Sequence, residues 1–218
     1  DVKLATQLTG NAFYNLTAGS ESPFGMHKKI QWLLKNQPVK QLILAIDFEE
    51  FEQPLDRNDN ELSSQEHPDV SGMSPFLFYW KYLWVHPYIH AVNFYGNAVK
   101  KDTWYKFDRT TGHYYFPLFD RMMANSPEKY IQQRFNTKWA EKIYHVNPAQ
   151  LSYLRKDIAL ARDNGVDVMV FVNPVNHWQF KRYGRQVYAE WLASIVHIAG
   201  QVWDFSGLNS VTTNDRLY

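Results

Sequence analysis

The chain has 218 residues, enough for one large domain or two small ones, and 45% apolar against 21% charged residues is a globular composition with material for a sizeable core. Its 23 basic and 22 acidic residues leave a formal charge of +1 without a long Lys/Arg run, so nothing in the charge favours nucleic acid or an anionic membrane as partner. The absence of cysteine excludes disulfides, thiolate nucleophiles and zinc–thiolate sites together.

Aromatic residues are the compositional surplus: 8 Trp, 14 Tyr and 14 Phe make 17% of the chain. Core packing is their first use, and stacking on sugar rings or lining an apolar cleft the second. No stretch approaches the roughly 20 apolar residues that span a bilayer, and the first residues do not read as a signal peptide. An anchor or export signal would lie outside these 218 residues.

In chain order, the aromatic and apolar run from Asn11 to Thr17 reads as a short strand entering a turn at Ala18-Gly19-Ser20. Glu21-Ser22-Pro23 then supplies a helix start, and Met26, Ile30, Leu33 and Leu34 recur at helical spacing until Asn36 and Pro38 stop it. Val39 to Asp47 is a short apolar run without alternation, which predicts a strand buried on both faces of a parallel sheet. Strand, helix and strand joined this closely form a βαβ unit. Asp47 falls at the carboxyl end of its strand, where ligands gather in open α/β sheets, and fits a turn cap equally well.

From Glu52 to about Asn147 the rhythm breaks. Residues 52–75 are polar and read as a long loop or lid, and Phe76 to Ala98 carry Phe76, Tyr79, Trp80, Leu83 and Trp84 on one helical face interrupted by Pro87. Lys101 to Pro117 reads as a hairpin or irregular aromatic loop around Thr110-Thr-Gly112, and Pro127 to Tyr144 as helical. The α/β rhythm resumes with a helix from Asn147-Pro148 to Asn164-Gly165 and a buried strand, Asp167 to Val172, running out into Asn173-Pro-Val-Asn-His177. A helix marked by Tyr188, Trp191, Leu192 and Ile195 and a last strand, Val202 to Phe205, follow. The predicted organisation is an α/β domain of residues 1–51 and 148–218 with an aromatic-rich insertion of residues 52–147 over the active-site edge.

The eight histidines are scattered, none forming a His-x-x-x-His or His-Glu-x-x-His pair, and neither a P-loop nor a Gly-x-Gly-x-x-Gly fingerprint is present. The sequence therefore calls for no metal and no cofactor. What it does place at successive strand ends is Gly19 with Ser20, Asp47, Asn173 with His177, and Asp204 with Ser206. Gly19 permits close approach of backbone N–H groups, as an oxyanion hole requires, or serves a plain tight turn. His177 has the near-neutral pKa of a base, or is a surface loop residue.

The ordered set Tyr14-Asn-Leu-Thr-Ala-Gly-Ser-Glu-Ser-Pro23, Leu42-Ile-Leu-Ala-Ile-Asp-Phe-Glu-Glu-Phe51, Asn173-Pro174 and Val202-Trp-Asp-Phe205 resembles the SGNH (GDSL) hydrolase superfamily. It is similar to its extracytoplasmic bacterial branches near the alginate O-acetyltransferase and D-alanyl-transfer proteins. The resemblance covers residues 10–51 and 148–218. It implies a flavodoxin-like three-layer parallel sheet, a Ser nucleophile after the first strand and a late Asp-x-x-His. Both of those blocks would lie outside the chain, and the missing first strand would fit between the Asn11–Thr17 and Val39–Asp47 strands. Gly19 matches the block whose N–H holds the oxyanion. Asp47 stands where the family usually has Asn, and an ionised Asp accepts but cannot donate a hydrogen bond.

The expectation is an SGNH-like esterase or O-acyltransferase domain that acts through a serine ester on an envelope or exported polysaccharide in the periplasm or at the cell surface. Gly19 and Asp47 would form the oxyanion region, with Ser20, Asn173 and His177 contacting a carbohydrate or acylated small-molecule substrate. The alternatives are a non-catalytic α/β domain that binds a glycan or an assembly partner, and a flavodoxin-like domain without a small-molecule site.

Overall fold

The structure is a computed structural model that describes residues 2–16, 21–55, 68, 74–83, 106–108, 110–135 and 143–214. In chain order the elements are α1 (Val2–Thr9), α2 (Pro23–Asn36), β1 (Gln41–Ile46), a 3-10 turn (Phe48–Glu52), α3 (Pro75–Leu83), β2 (Lys106–Asp108) and β3 (His113–Tyr115). There follow α4 (Pro117–Asn125), α5 (Pro127–Phe135), α6 (Pro148–Asp163), β4 (Asp167–Val172), α7 (His177–Arg182), α8 (Arg185–Ala199) and β5 (Trp203–Asp204). The chain divides into two compact units, residues 1–18 with 74–137, and residues 19–73 with 138–218.

The second unit is α/β. Its sheet has the order β1-β4-β5, all parallel, with Ile46 opposite Val172 and Val172 opposite Asp204. Helix starts and stops follow local chemistry. Ser22 caps α2 by accepting the Gly25 N–H at 3.4 Å, and Asn147 caps α6 by accepting the Ala149 N–H at 3.0 Å, each with Pro at the first helical position. Gly165, at φ 72°, ends the α6 turn in the left-handed region. From α6 the stripe Leu154, Ile158 and Ala161, and from α8 the stripe Tyr188, Trp191, Ile195 and Ala199, are buried against Leu44 and Ile46 of β1 and Val170 and Val172 of β4.

Burial in β1 and β4 alternates. Leu44, Ile46, Val170 and Val172 are covered, whereas Ile43 is 40% exposed and Met169 and Phe171 are only half-buried. The expected burial on both faces is therefore corrected: α2, α6 and α8 share one core cluster on one side of the sheet, and the opposite face is partly open among the described residues. An unbroken apolar run does not by itself tell one covered face from two. Much of the aromatic surplus fills this core. The Phe48 ring lies 4.8 to 5.7 Å from those of Tyr144, Tyr183, Tyr188 and Trp191.

The strand expected over Asn11–Thr17 is also corrected. Residues 12–16 have no regular structure, and Thr17 lies outside the described residues. These residues belong to the first unit, where the Asn15 N–H donates to the Thr111 carbonyl at 2.8 Å beside the β2–β3 hairpin. Lys3 of α1 pairs with Asp108 at 3.2 Å in the same unit. The first eighteen residues thus group with the middle of the chain, unlike the boundaries drawn at residues 51 and 148. The hairpin does turn at Thr110-Thr-Gly112, with Asp108 opposite His113. Of the helix expected from Phe76, α3 covers Pro75–Leu83, and residues 84–98 lie outside the described residues. Among the described residues no helix is long and apolar enough to cross a membrane.

Candidate functional site

Because β1 and β4 are parallel and in register, the residues that follow them emerge side by side. The Asn173 N–H extends the ladder by one bond to the Ile46 carbonyl at 3.1 Å, and its side-chain amide donates to Asp47 Oδ2 at 3.1 Å. A carboxylate and an amide from two distant parts of the sequence are thereby fixed together at the carboxyl edge of the sheet.

The next turn of chain adds further carboxyl groups. Phe48 and Phe51 are both fully buried, three residues apart, which is one turn of 3-10 helix, so Glu49 and Glu50 are left at the edge. Glu50 reaches back to accept the Asp47 N–H at 3.2 Å, and Glu49 accepts the Tyr144 hydroxyl at 3.3 Å. The floor beneath is tied to two helix starts by Gln150. This residue is fully buried, accepts the Phe24 N–H at 3.0 Å and donates to the Gln53 carbonyl at 2.8 Å, while Asn147 Nδ2 donates to the same carbonyl at 3.1 Å.

Beyond β4, Asn176 caps the short α7 by accepting the Trp178 N–H at 2.9 Å. That helix carries Gln179 and then Tyr183 back to the edge. Together these groups enclose a cleft of about 470 Å³ lined by Asp47, Glu49, Glu50, Gln53, Asn173, Asn176, Gln179 and Tyr183 with Pro174 and Val175. Tyr183 is 2% exposed, and its hydroxyl lies near Gln179 without a hydrogen-bond partner in proper geometry.

Among the described lining residues of the cleft there are three carboxyl groups and no Lys, Arg or His, while the Arg182 charge acts on Tyr144 beside Glu49. Burial raises the Asp47 pKa, the Asn173 amide partly offsets this, and the Glu49 charge adds to it. Glu50 is pushed well above the carboxylate range, first by burial and then by the Asp47 charge. The Tyr183 hydroxyl is also raised, by burial and then by Glu49 and Asp47. No group of three His, Cys, Asp or Glu residues among those described is placed to hold a metal.

Of the residues singled out from sequence, Asp47 and Asn173 meet in the cleft, and Gly19 and Ser20 lie outside the described residues. His177 is not among the lining residues; it opens α7, and its N–H donates to the Thr212 carbonyl at 2.9 Å. Asp204 and Ser206 are engaged with one another, Ser206 Oγ donating to Asp204 at 2.5 Å while Tyr188 donates to Ser206 at 2.5 Å. Sequence reasoning missed Glu49, Glu50, Gln53, Asn176, Gln179 and Tyr183. For the first two a signal existed in the Phe48–Phe51 spacing.

The architecture defines the second unit as an α/β domain with a polar cleft at the carboxyl ends of two adjacent parallel strands. Comparison with known proteins finds no family model that matches the chain, no curated protein and no solved structure similar to it.

Proposed function

We propose that the second unit is an SGNH-like esterase or O-acyltransferase domain that holds an envelope or exported polysaccharide in the carboxyl-edge cleft. The observation that carries this reading is the Asp47–Asn173 pair, 3.1 Å apart over a cleft rich in carboxyl and amide groups. Carboxylate oxygens accept from sugar hydroxyls and amides both donate and accept, so a hydroxyl-rich ligand matches the lining. With its amide donating to it, Asp47 works here as an acceptor that orients a hydroxyl. The acyl group would pass through a serine ester, with the oxyanion held by backbone N–H groups, as the resemblance implies.

A second reading, glycan binding without catalysis, is favoured by one feature: among the described residues, neither Ser nor His lines the cleft. The test is hydrolysis of p-nitrophenyl acetate, and acetyl transfer to a polysaccharide, by the full-length protein. The enzyme reading expects activity that falls at least about tenfold in Asn173→Ala with the fold retained, the cost of a lost buried hydrogen bond to a charged group. A full-length protein that folds, binds polysaccharide and cleaves no ester would overturn it in favour of binding.

A further inference from the structure

The helix α7 has six residues, too few to be stable on its own backbone bonds, and none of them is fully buried. Its place is therefore set by what holds its ends. Two of the N–H groups left open at its start are met: Asn176 accepts the Trp178 N–H at 2.9 Å, and the Thr212 carbonyl accepts the His177 N–H at 2.9 Å. The second of these contacts comes from far along the chain, in the loop that follows β5.

That loop is built around Thr212. Its neighbours Asn209, Ser210, Val211 and Thr213 are exposed, yet Thr212 is fully buried. Its hydroxyl accepts the Asn209 N–H at 2.9 Å and donates to the Gly207 carbonyl at 2.5 Å, and its own N–H donates to Asn209 Oδ1 at 3.0 Å. The Asn209 amide donates in turn to the Phe205 carbonyl at 3.2 Å, and Ser206 donates through its N–H and hydroxyl to Asp204 at the end of β5. Burying a polar side chain is costly unless its bonds are made, and here they run in one connected set from the sheet edge to the carbonyl that meets α7. Asp204 and Ser206 form one end of this brace, and the His177 N–H is held at the other.

We propose that Thr212 is a positioning residue for the carboxyl-edge cleft: through its carbonyl it fixes the start of α7, and with it the Asn176 and Gln179 amides, against a glycan. This rests on the carbohydrate reading above and adds a residue that does not line the cleft but sets the geometry of two that do. Hydrogen bonds to sugar hydroxyls weaken steeply with distance and angle, so a loosened α7 costs affinity although every lining side chain is still present.

The test pairs amide hydrogen exchange with isothermal titration of a β-1,4-linked glucose tetramer, both on the full-length protein. Thr212→Val keeps the shape of the side chain and removes its hydroxyl bonds, whereas Thr212→Ser keeps them. In Thr212→Val the His177 and Trp178 amides should exchange at least tenfold faster with protection in β1 and β4 unchanged, and the tetramer should bind severalfold more weakly. Thr212→Ser should restore both. Asn209→Ala removes the acceptor of the Thr212 N–H from an exposed position, and should act in the same direction even where Thr212→Val does not fold. A residue that only supports the fold would speed exchange in β1 and β4 as well, and would leave the affinity of the folded protein unchanged. That result, or unchanged exchange at His177, would overturn the positioning role and leave the carbohydrate reading standing. A wild-type protein that binds no tetramer would overturn both.

Discussion

His27 and Asp157 show how a single contact between helices can make stability depend on pH. Nδ1 of His27, on α2, lies 2.5 Å from Oδ1 of Asp157, on α6, and Asp157 is 1% exposed. Burial pushes the Asp157 carboxyl up to about 8 and the His27 imidazole down, with Lys156 nearby opposing the first and adding to the second. Two acceptors could not approach so closely without a proton between them, so the pair holds one. The folded pair gives up that proton as pH rises through about 8. The unfolded chain gives up its last one near the ordinary His value of about 6.5. Between these limits the folded state binds more protons than the unfolded state, so stability falls as pH climbs, by about 2 kcal/mol across the interval. Urea denaturation at pH 6 and pH 8.5 should show this fall, and Asp157→Asn should flatten it. A slope that persists in Asp157→Asn would assign it to other groups.

At the scale of elements, the hairpin of the first unit turns on Gly112. Its φ is 69°, and a Cβ added there would stand 1.9 Å from the Asn15 carbonyl oxygen, so even alanine collides with backbone. Gly112→Ala must displace the chain at Asn15 and break the Asn15–Thr111 hydrogen bond. It should destabilise the first unit by about 2 kcal/mol or more, combining left-handed strain with the lost bond. Hydrogen exchange at the Asn15 amide should accelerate, and protection in β1 and β4 should be unchanged. Unaltered exchange at Asn15 would contradict the close approach.

Elements with punctuated ends were legible in the sequence. Ser22-Pro23 and Asn147-Pro148 mark the starts of α2 and α6, and the runs before Asp47 and Asn173 mark β1 and β4. The run Asn11–Thr17 misled because aromatic residues suit extended chain packed on a hairpin as well as a strand, and only long-range pairing separates the two. The site was half legible for a similar reason. Asp47 and Asn173 follow from strand ends alone, whereas Tyr183 reaches the cleft only because α7 folds back, which no local pattern announces. Glu49 and Glu50 depend on the one-turn helix that buries Phe48 and Phe51.

At the scale of the molecule, the chain builds two units from interleaved segments, and the described residues of the carboxyl-edge cleft lie in the α/β unit. There α2, α6 and α8 pack on one face of a three-strand parallel sheet and leave its carboxyl edge to carry polar groups. In the first unit α3 exposes Phe76, Tyr79 and Trp80, a second set of aromatic groups with which a sugar could stack, so the two locations can be set against each other by experiment. The decisive measurement is a map of backbone amide chemical shifts on titration with glucosamine and glucose tetramers. Binding in the carboxyl-edge cleft predicts perturbations concentrated at Asp47 to Gln53 and Asn173 to Tyr183 for any tetramer that binds. Perturbations concentrated in Pro75–Leu83, with those two segments unmoved, would contradict it.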